Sequence, residues 1–320
     1  MELKNILELF PKKNILVIGD IMLDKYTEGF VERISPEAPV PVLRVENHYY
    51  KLGGAANVAM NLSNLSPEGN ITLSGFTGKD PESIFLKKTL EENNINTCLD
   101  ENSSTILKER FMGKSSGHPQ HILRVDREEN KPKLFTQEIK KNLMHLSEKA
   151  DLIILSDYAK GTITLDLINT LNNFKNKLII DPKPKNPDFK SIYQDSLAIT
   201  PNKKEALEMS GLNDIYDAGI KLSKDFNSNI FVKEGGEGLT IFPNNNHPIK
   251  VPTNKETNFE ETGAGDTMIA AIALSLATNN SLENAAKIGN HAARLTVKKI
   301  GTHAPTLNEL HRSIIENETP

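Results

Sequence analysis

Glu261-Thr262-Gly263-Ala264-Gly265-Asp266, running directly into the helical stretch from Thr267 to about Ala277, decides how this chain is read. Two glycines and an alanine leave bare backbone N–H groups at the first turn of a helix. Unpaired amides and the positive end of the helix dipole together make an anion cradle. Asp266 sets a carboxylate at its mouth, where its use is to take a proton from a hydroxyl attacking a bound phosphoryl group. The hexapeptide thus suggests phosphoryl transfer to an alcohol. Alone, it is equally a glycine-rich turn before an ordinary helix, with Asp266 as a dipole partner; other segments favour the first reading.

Around this motif, short apolar runs alternate with helical stretches. Asn14 to Ile18 reads as a buried first strand, and Ile71 to Gly75, Leu152 to Leu155, Leu178 to Ile180, Leu197 to Ile199 and Ile230 to Val232 as further strands. Helical patterns, such as Ala55 to Leu65 and Pro81 to Asn93, separate them. The alternation predicts an α/β fold whose parallel sheet is covered by helices on both faces. Val40 to Glu46 breaks the rhythm: it alternates and carries Pro39 and Pro41, which suit an edge strand. Thr105 to Arg110 and His121 to Asp126 form another strand pair. These pieces predict a small separate sheet, a lid over a site or a dimer contact.

Several further segments sit where an open parallel sheet binds ligands, beyond the carboxyl ends of its strands. Gly19 to Asp24 follows the first strand, and Asp24 suits sugar hydroxyls, whereas Asp20 could cap the next turn. Gly53-Gly54-Ala55-Ala56-Asn57 repeats the pattern of small residues before a helix, with Asn57 able to donate and accept. Ser156 to Gly161 and Asp181-Pro182-Lys183 end two more strands, and Lys160 is a candidate for a substrate phosphate. Thr200 to Glu205 opens a helix with Asn202 as its cap and Glu205 three residues on, the pattern of a capping box; its functional reading has both organising magnesium through water.

Composition narrows the partners. Of 320 residues, 38% are hydrophobic and 25% charged, which looks globular, and a net charge of −4 argues against nucleic acid or an anionic membrane. Cys98 is the lone cysteine, so an internal disulfide framework is excluded and a reducing compartment expected. The first thirteen residues lack a signal-peptide core and the apolar run Met268 to Leu276 is too short to span a bilayer, so a soluble, cytoplasmic protein is expected. The absence of G-x-x-x-x-G-K-[ST] and of a strand-borne G-x-G-x-x-G argues against the P-loop and usual dinucleotide folds.

In this order, these segments resemble the ribokinase-like (PfkB) family of sugar kinases over essentially the whole chain. Glu261 to Ala277 and the Gly53-Gly54 segment carry the family signatures. The longer match, Arg33 to Val42 (RISPEAPVPV), Gly53 to Asn61, Ser156 to Gly161, Asp181 to Lys183 and Lys299 to Thr302, is most similar to the family's D-glycero-β-D-manno-heptose-7-phosphate kinase branch. In that branch the kinase is half of a bifunctional heptose enzyme of lipopolysaccharide precursor synthesis. The chain ends at Pro320 without an H-x-G-H nucleotidyltransferase half, so a kinase-only form is expected.

The resemblance implies one ribokinase-like domain over 1–320, a three-layer αβα sandwich with a small β-sheet lid from about 25–50 and 103–127 that pairs two subunits. It implies Asp266 as catalytic base and Gly263, Ala264 and Gly265 as anion hole. Asp24, Gly53, Gly54 and Asn57 would bind the sugar, and Arg33, Arg124 and Lys160 its phosphate. Asn202, Glu205, Lys233, Gly236, Gly238 and Asn290 would line the ATP side, with Mg2+ as cofactor. Glu260 stands where relatives carry the Asp of a monovalent-cation site, so K+ use is left open; Lys233 stands where relatives commonly carry Thr. A kinase for another sugar or sugar phosphate, such as fructose 1-phosphate or ribose, is the alternative within the fold. A non-catalytic sugar- or nucleotide-sensing module is the alternative outside catalysis.

Overall fold

A computed structural model describes residues 2–114, 119–129, 131–253, 263–298 and 303–318. Expectations resting on Glu260, Glu261, Thr262 and Lys299 to Thr302 fall outside them. In chain order the strands are β1 (Asn14–Gly19), β2 (Ile21–Ile34), β3 (Pro41–Gly54), β4 (Asn70–Phe76), β5 (Ile95–Asp100), β6 (Ile106–Lys114) and β7 (Pro119–Arg127). They continue with β8 (Leu152–Ser156), β9 (Leu178–Asp181), β10 (Ala198–Ile199), β11 (Asn229–Lys233), β12 (Leu239–Phe242) and β13 (Ile249–Val251).

Successive residues of a strand point to opposite faces, and β1 is apolar on both because both are covered. Ile15 and Val17 enter one core and Leu16 and Ile18 the other. The first core lies under helices that include Ala55–Leu65, Ala264–Ala277 and Leu282–Val297. The second lies under Gln137–Lys149, Lys203–Ser210 and Ile215–Phe226 among others. The sheet between runs β13-β12-β11-β10-β9-β8-β1-β4-β5. The protein is therefore a three-layer αβα structure. Helix Ala264–Ala277 is buried all round from Asp266 to Ser275 because it packs between helix layers and sheet. Among the described residues no helix is long and apolar enough to cross a membrane.

The sheet is mixed, not wholly parallel as its spacing predicts. β12 pairs antiparallel with β11, and β13 with β12. The link from Glu234 to Gly238 is a short turn, and a parallel return would need a crossover of a dozen residues or so.

A second sheet, ordered β3-β2-β6-β7, is built from much longer strands than the local pattern suggests. β2 and β3 are 14 residues each and pair from Ile21↔Gly54 to Ile34↔Pro41. Pro41 opens an edge strand, where the missing N–H costs no ladder bond. Both strands begin or end at β1 and helix Ala55–Leu65, so one end of this sheet roots at the carboxyl edge of the main sheet.

Candidate active site

The carboxyl ends of β8, β9, β10 and β11 deliver Asp157 and Tyr158, Asp181 to Lys183, Asn202, and Lys233 to one cleft, which Gly263, Gly265 and Asp266 close from the other side. Gly263 adopts φ +86°, a left-handed conformation that glycine takes without a Cβ penalty. It caps helix Ala264–Ala277 without a side-chain partner, and among the described residues no acceptor meets the first-turn amides of Ala264 and Gly265.

Asp266 is only 7% exposed. Asn57 Nδ2 donates to its Oδ2 at 2.6 Å and the Tyr158 hydroxyl to its Oδ1 at 2.9 Å. Burial pushes its pKa up to about 6, with Asp181 adding to the rise and the two hydrogen bonds and Lys233 opposing it. A carboxylate so placed is a base that half-loads with a proton near pH 6. Asn57, expected from sequence to face the sugar, is thus committed to the carboxylate. Its helix is stitched to the next by the Thr267 hydroxyl donating to Asn61 Oδ1 at 2.7 Å.

Tyr158 is a partner the sequence reading did not single out. Its loop is held by Asp20, whose carboxylate accepts from the backbone N–H of Tyr158 at 2.8 Å, Lys160 at 3.0 Å and Thr162 at 3.1 Å. Asp20 therefore anchors a loop from β8, not the turn that follows it in sequence. Asp157, the loop's first residue, is buried and raised to about 6 by desolvation, against hydrogen bonds from Tyr193 at 2.7 Å and Asn186 at 2.9 Å.

On the opposite side, Asn202 and Glu205 form the full capping box: Asn202 Oδ1 accepts from Glu205 N at 2.9 Å and Glu205 Oε2 from Asn202 N at 3.0 Å. Lys183 Nζ holds the other Glu205 oxygen at 3.0 Å. Lys233 Nζ lies 2.6 Å from Asp181 Oδ1. Gly236 and Gly238 sit in the β11–β12 turn, and Gly238 takes φ +95° there. Asn290, on helix Leu282–Val297, donates to the backbone carbonyls of Val251 at 3.0 Å and Pro252 at 3.4 Å, so its amide holds the chain leaving β13. Among the described residues, no group of three or more His, Cys, Asp or Glu side chains is arranged to hold a metal.

The second sheet turns one charged face to the cleft. In register across it, Lys51, Asp24, Lys108 and Asp126 form one row, and Tyr49, Tyr26, Arg110 and Arg124 the next. Gly53 backs this row, since a Cβ there would lie 2.8 Å from Asp24 Oδ2. Asp24 is ion-paired to Arg110, Arg124 Nε to Asp126 at 2.8 Å, and Lys160 to Glu128 at 2.6 Å. The Lys108 side chain makes no hydrogen bond or ion pair among the described residues. Its ammonium stands 5.8 Å from the Tyr158 ring centroid, and burial lowers its pKa despite Asp24, Glu128 and Asp126 nearby. Neither Lys108 nor Arg110 carries a local motif; only strand register brings them here. Arg33 does not join them: it is exposed near the outer end of β2, nine residues beyond Asp24, roughly 30 Å along a strand.

Residues 12–309 match the family model for the pfkB family carbohydrate kinases. The chain belongs to the pfkB carbohydrate kinase family. Its membership makes it a sugar kinase, and the cleft is where such a kinase would work. Among its relatives is the bifunctional protein HldE of Histophilus somni, 36% identical over 315 residues, covering 95% of this chain and 64% of HldE. HldE of Salmonella newport is 34% identical over 317 residues, covering 96% and 65%. The chain thus spans a little under two thirds of these relatives. In fold it is similar to Thermotoga maritima ribokinase (TM-score 0.76, 21% identity, 95% of this chain and 99% of that one). It is likewise similar to Escherichia coli phosphofructokinase-2 solved with fructose-6-phosphate (TM-score 0.73, 18% identity, 95% and 99%).

Proposed function

We propose that this pfkB-family kinase phosphorylates the anomeric hydroxyl of D-glycero-β-D-manno-heptose 7-phosphate from Mg-ATP, giving the 1,7-bisphosphate in ADP-heptose synthesis for the lipopolysaccharide core. One observation carries the chemistry: a buried carboxylate, Asp266, held on both oxygens by Asn57 and Tyr158 at the mouth of an open amide cradle. In this reading Asp266 takes the proton from the attacking hydroxyl, and the amides of Gly263 to Gly265 meet the phosphoryl charge. Lys183 and Asn202 face the nucleotide phosphates, whose Mg2+ would be held with Glu205 through water and would neutralise phosphate charge. K+, if used, belongs to the segment carrying Glu260. The substrate assignment is supported by the HldE relatives and by the cationic lid face beside the cleft. ATP turnover against heptose 7-phosphate, fructose 1-phosphate, fructose 6-phosphate and ribose tests it; a clear preference for anything but heptose 7-phosphate overturns it.

The lid face also supports a choice of cation for the phosphate already on the sugar. Lys160 carries its own carboxylate, whereas Lys108 does not. Lys108→Ala is therefore expected to raise KM for heptose 7-phosphate by about 10- to 150-fold, the worth of one charge-assisted contact. Lys160→Ala should raise it less, and KM for ATP should stay near wild type in both. The reverse order would return the role to Lys160.

The lid is also the proposed dimer contact. At the outer part of the β2–β3 pair, Ile34, Val40 and Val45 are 51–61% exposed, apolar side chains of the kind an interaction surface carries. Light scattering at micromolar concentration should give twice the 35.5 kDa chain mass, and Val40→Asp with Val45→Asp should halve it. A wild type that is monomeric under those conditions removes the lid contact.

A further inference from the structure

We propose that Lys233 is a catalytic residue, the fixed cation that meets the phosphoryl group as it transfers, and that Asp181 is the residue that positions it. The inference rests on the kinase reading of the same cleft and adds a member to its chemistry.

Lys233 is the last residue of β11, so the parallel part of the sheet delivers it to the carboxyl edge beside the cradle. Among the described residues, a Cβ built on Gly265 would meet one atom outside its own neighbours within 4 Å, Lys233 Nζ at 3.7 Å. The ammonium therefore stands beside the first helical turn at Gly265. Asp181 Oδ1 accepts from it at 2.6 Å and from the Thr200 hydroxyl at 3.2 Å. An ammonium has three N–H donors. One goes to Asp181, which leaves two for the cleft, whose lining includes Gly263, Gly265 and Asp266.

The pair is well buried, with side-chain exposures of 13% for Lys233 and 14% for Asp181. Taking two charges out of water is costly, and such a pair seldom stabilises a fold more than apolar side chains would. A site that keeps it at an anion cradle has a use for the charge. Burial works against the charged form of Lys233, but Asp181, Glu205 and Asp266 outweigh it and raise its pKa, so the cation persists at neutral pH.

The step balances without a further reactant. The sugar hydroxyl loses its proton to Asp266 and its oxygen bonds to the γ-phosphorus. The bond from that phosphorus to the bridging oxygen breaks, and its electron pair leaves with ADP. Charge spreads over the equatorial oxygens in a loose transition state. Lys233 meets it there with the cradle amides, already oriented and shielded from water. It moves no proton.

The test measures kcat and both KM values for Lys233→Met and Lys233→Arg with whichever sugar or sugar phosphate the wild type turns over fastest. Lys233→Met should lower kcat by about 10²–10³-fold, as removal of one oxyanion donor does. Both KM values should stay near wild type, and Lys233→Arg should recover part of the loss. A wild-type kcat in Lys233→Met, or a raised KM for ATP with kcat unchanged, overturns the inference. Lys233→Met leaves Asp181 buried without its partner; if it fails to fold, Lys233→Met/Asp181→Asn removes both charges and the same kcat criterion applies. Preference for a substrate other than heptose 7-phosphate defeats the substrate assignment and leaves the Lys233 criterion standing. A wild type without ATP-dependent turnover of any of them overturns both.

Discussion

An Asp266→Asn variant is expected to lose turnover by about 10²–10⁴-fold, the usual worth of a general base, while melting no lower than wild type at pH 8. The two halves have one cause. Asp266 is buried against the helix layer, and desolvation raises its pKa from 3.8 to about 6. A carboxyl whose pKa is raised in the fold prefers its neutral form there. Above pH 6 the folded state thus carries the full cost of the buried anion, about 3 kcal/mol. Below pH 4 the cost is absent. Asparagine removes the charge and keeps an oxygen for the Tyr158 hydroxyl, but its amide opposes the Asn57 amide, so the gain is smaller than the full cost. The stability advantage over wild type should shrink as pH falls from 7 to 4. In the wild type, kcat should fall as pH drops through about 6, where the base takes up its proton. A variant keeping more than half of wild-type turnover, or a wild-type acid limb centred below pH 5, would exclude Asp266 as the base.

The place of Asp266 at a helix start beside a cleft was readable because its pattern is local. A helix N-terminus, two glycines and a carboxylate lie within one hexapeptide, and the helix that follows is apolar enough to be unmistakable. The central strands were readable for a related reason: β1, β8 and β9 are covered on both faces, so their runs Ile15 to Ile18, Leu152 to Leu155 and Leu178 to Ile180 are apolar at every position. The Asn202–Glu205 capping box has a fixed spacing and forms as its sequence indicates.

The lid was only partly readable. β2 and β3 have one charged face and one mixed face, and their alternation fades into polar residues over 14 positions each, so the local pattern marks only a piece of each. Lys108 and Tyr158 were not readable, because what matters about them is long-range. Register sets Lys108 beside Asp24, and Asp20, far away in sequence, aims Tyr158. Asn57 was picked out as a polar residue at a helix start, yet its partner is a carboxylate 209 residues further along the chain. Arg33 belongs to a motif that is conspicuous in sequence and lies away from this cleft in the same chain.

Gly265→Val should cost at least as much activity as Asp266→Asn, and for a reason of space alone. Gly263 and Gly265 are two residues apart and fill different needs. Gly263 has φ +86°, so any side chain there strains the backbone by about 1–2 kcal/mol. Gly265 has no positive φ, and among the described residues only Lys233 Nζ, at 3.7 Å, would lie within contact of its Cβ. The fold therefore has room for a side chain at 265, and the helix gains slightly in propensity. What the room is for is the phosphoryl group. The two methyls of valine would branch over the amides and against the Lys233 ammonium, taking the space in which the anion must sit. The expected result is a melting temperature within a few degrees of wild type and ATP turnover reduced by more than about 10²-fold, the loss that follows when an oxyanion site is removed. Gly265→Ala, whose single methyl meets only an ordinary contact, should fall between. If folded Gly265→Val turns over ATP and sugar phosphate near the wild-type rate, the anion is held elsewhere, and Lys233 loses the phosphoryl group it is placed to meet.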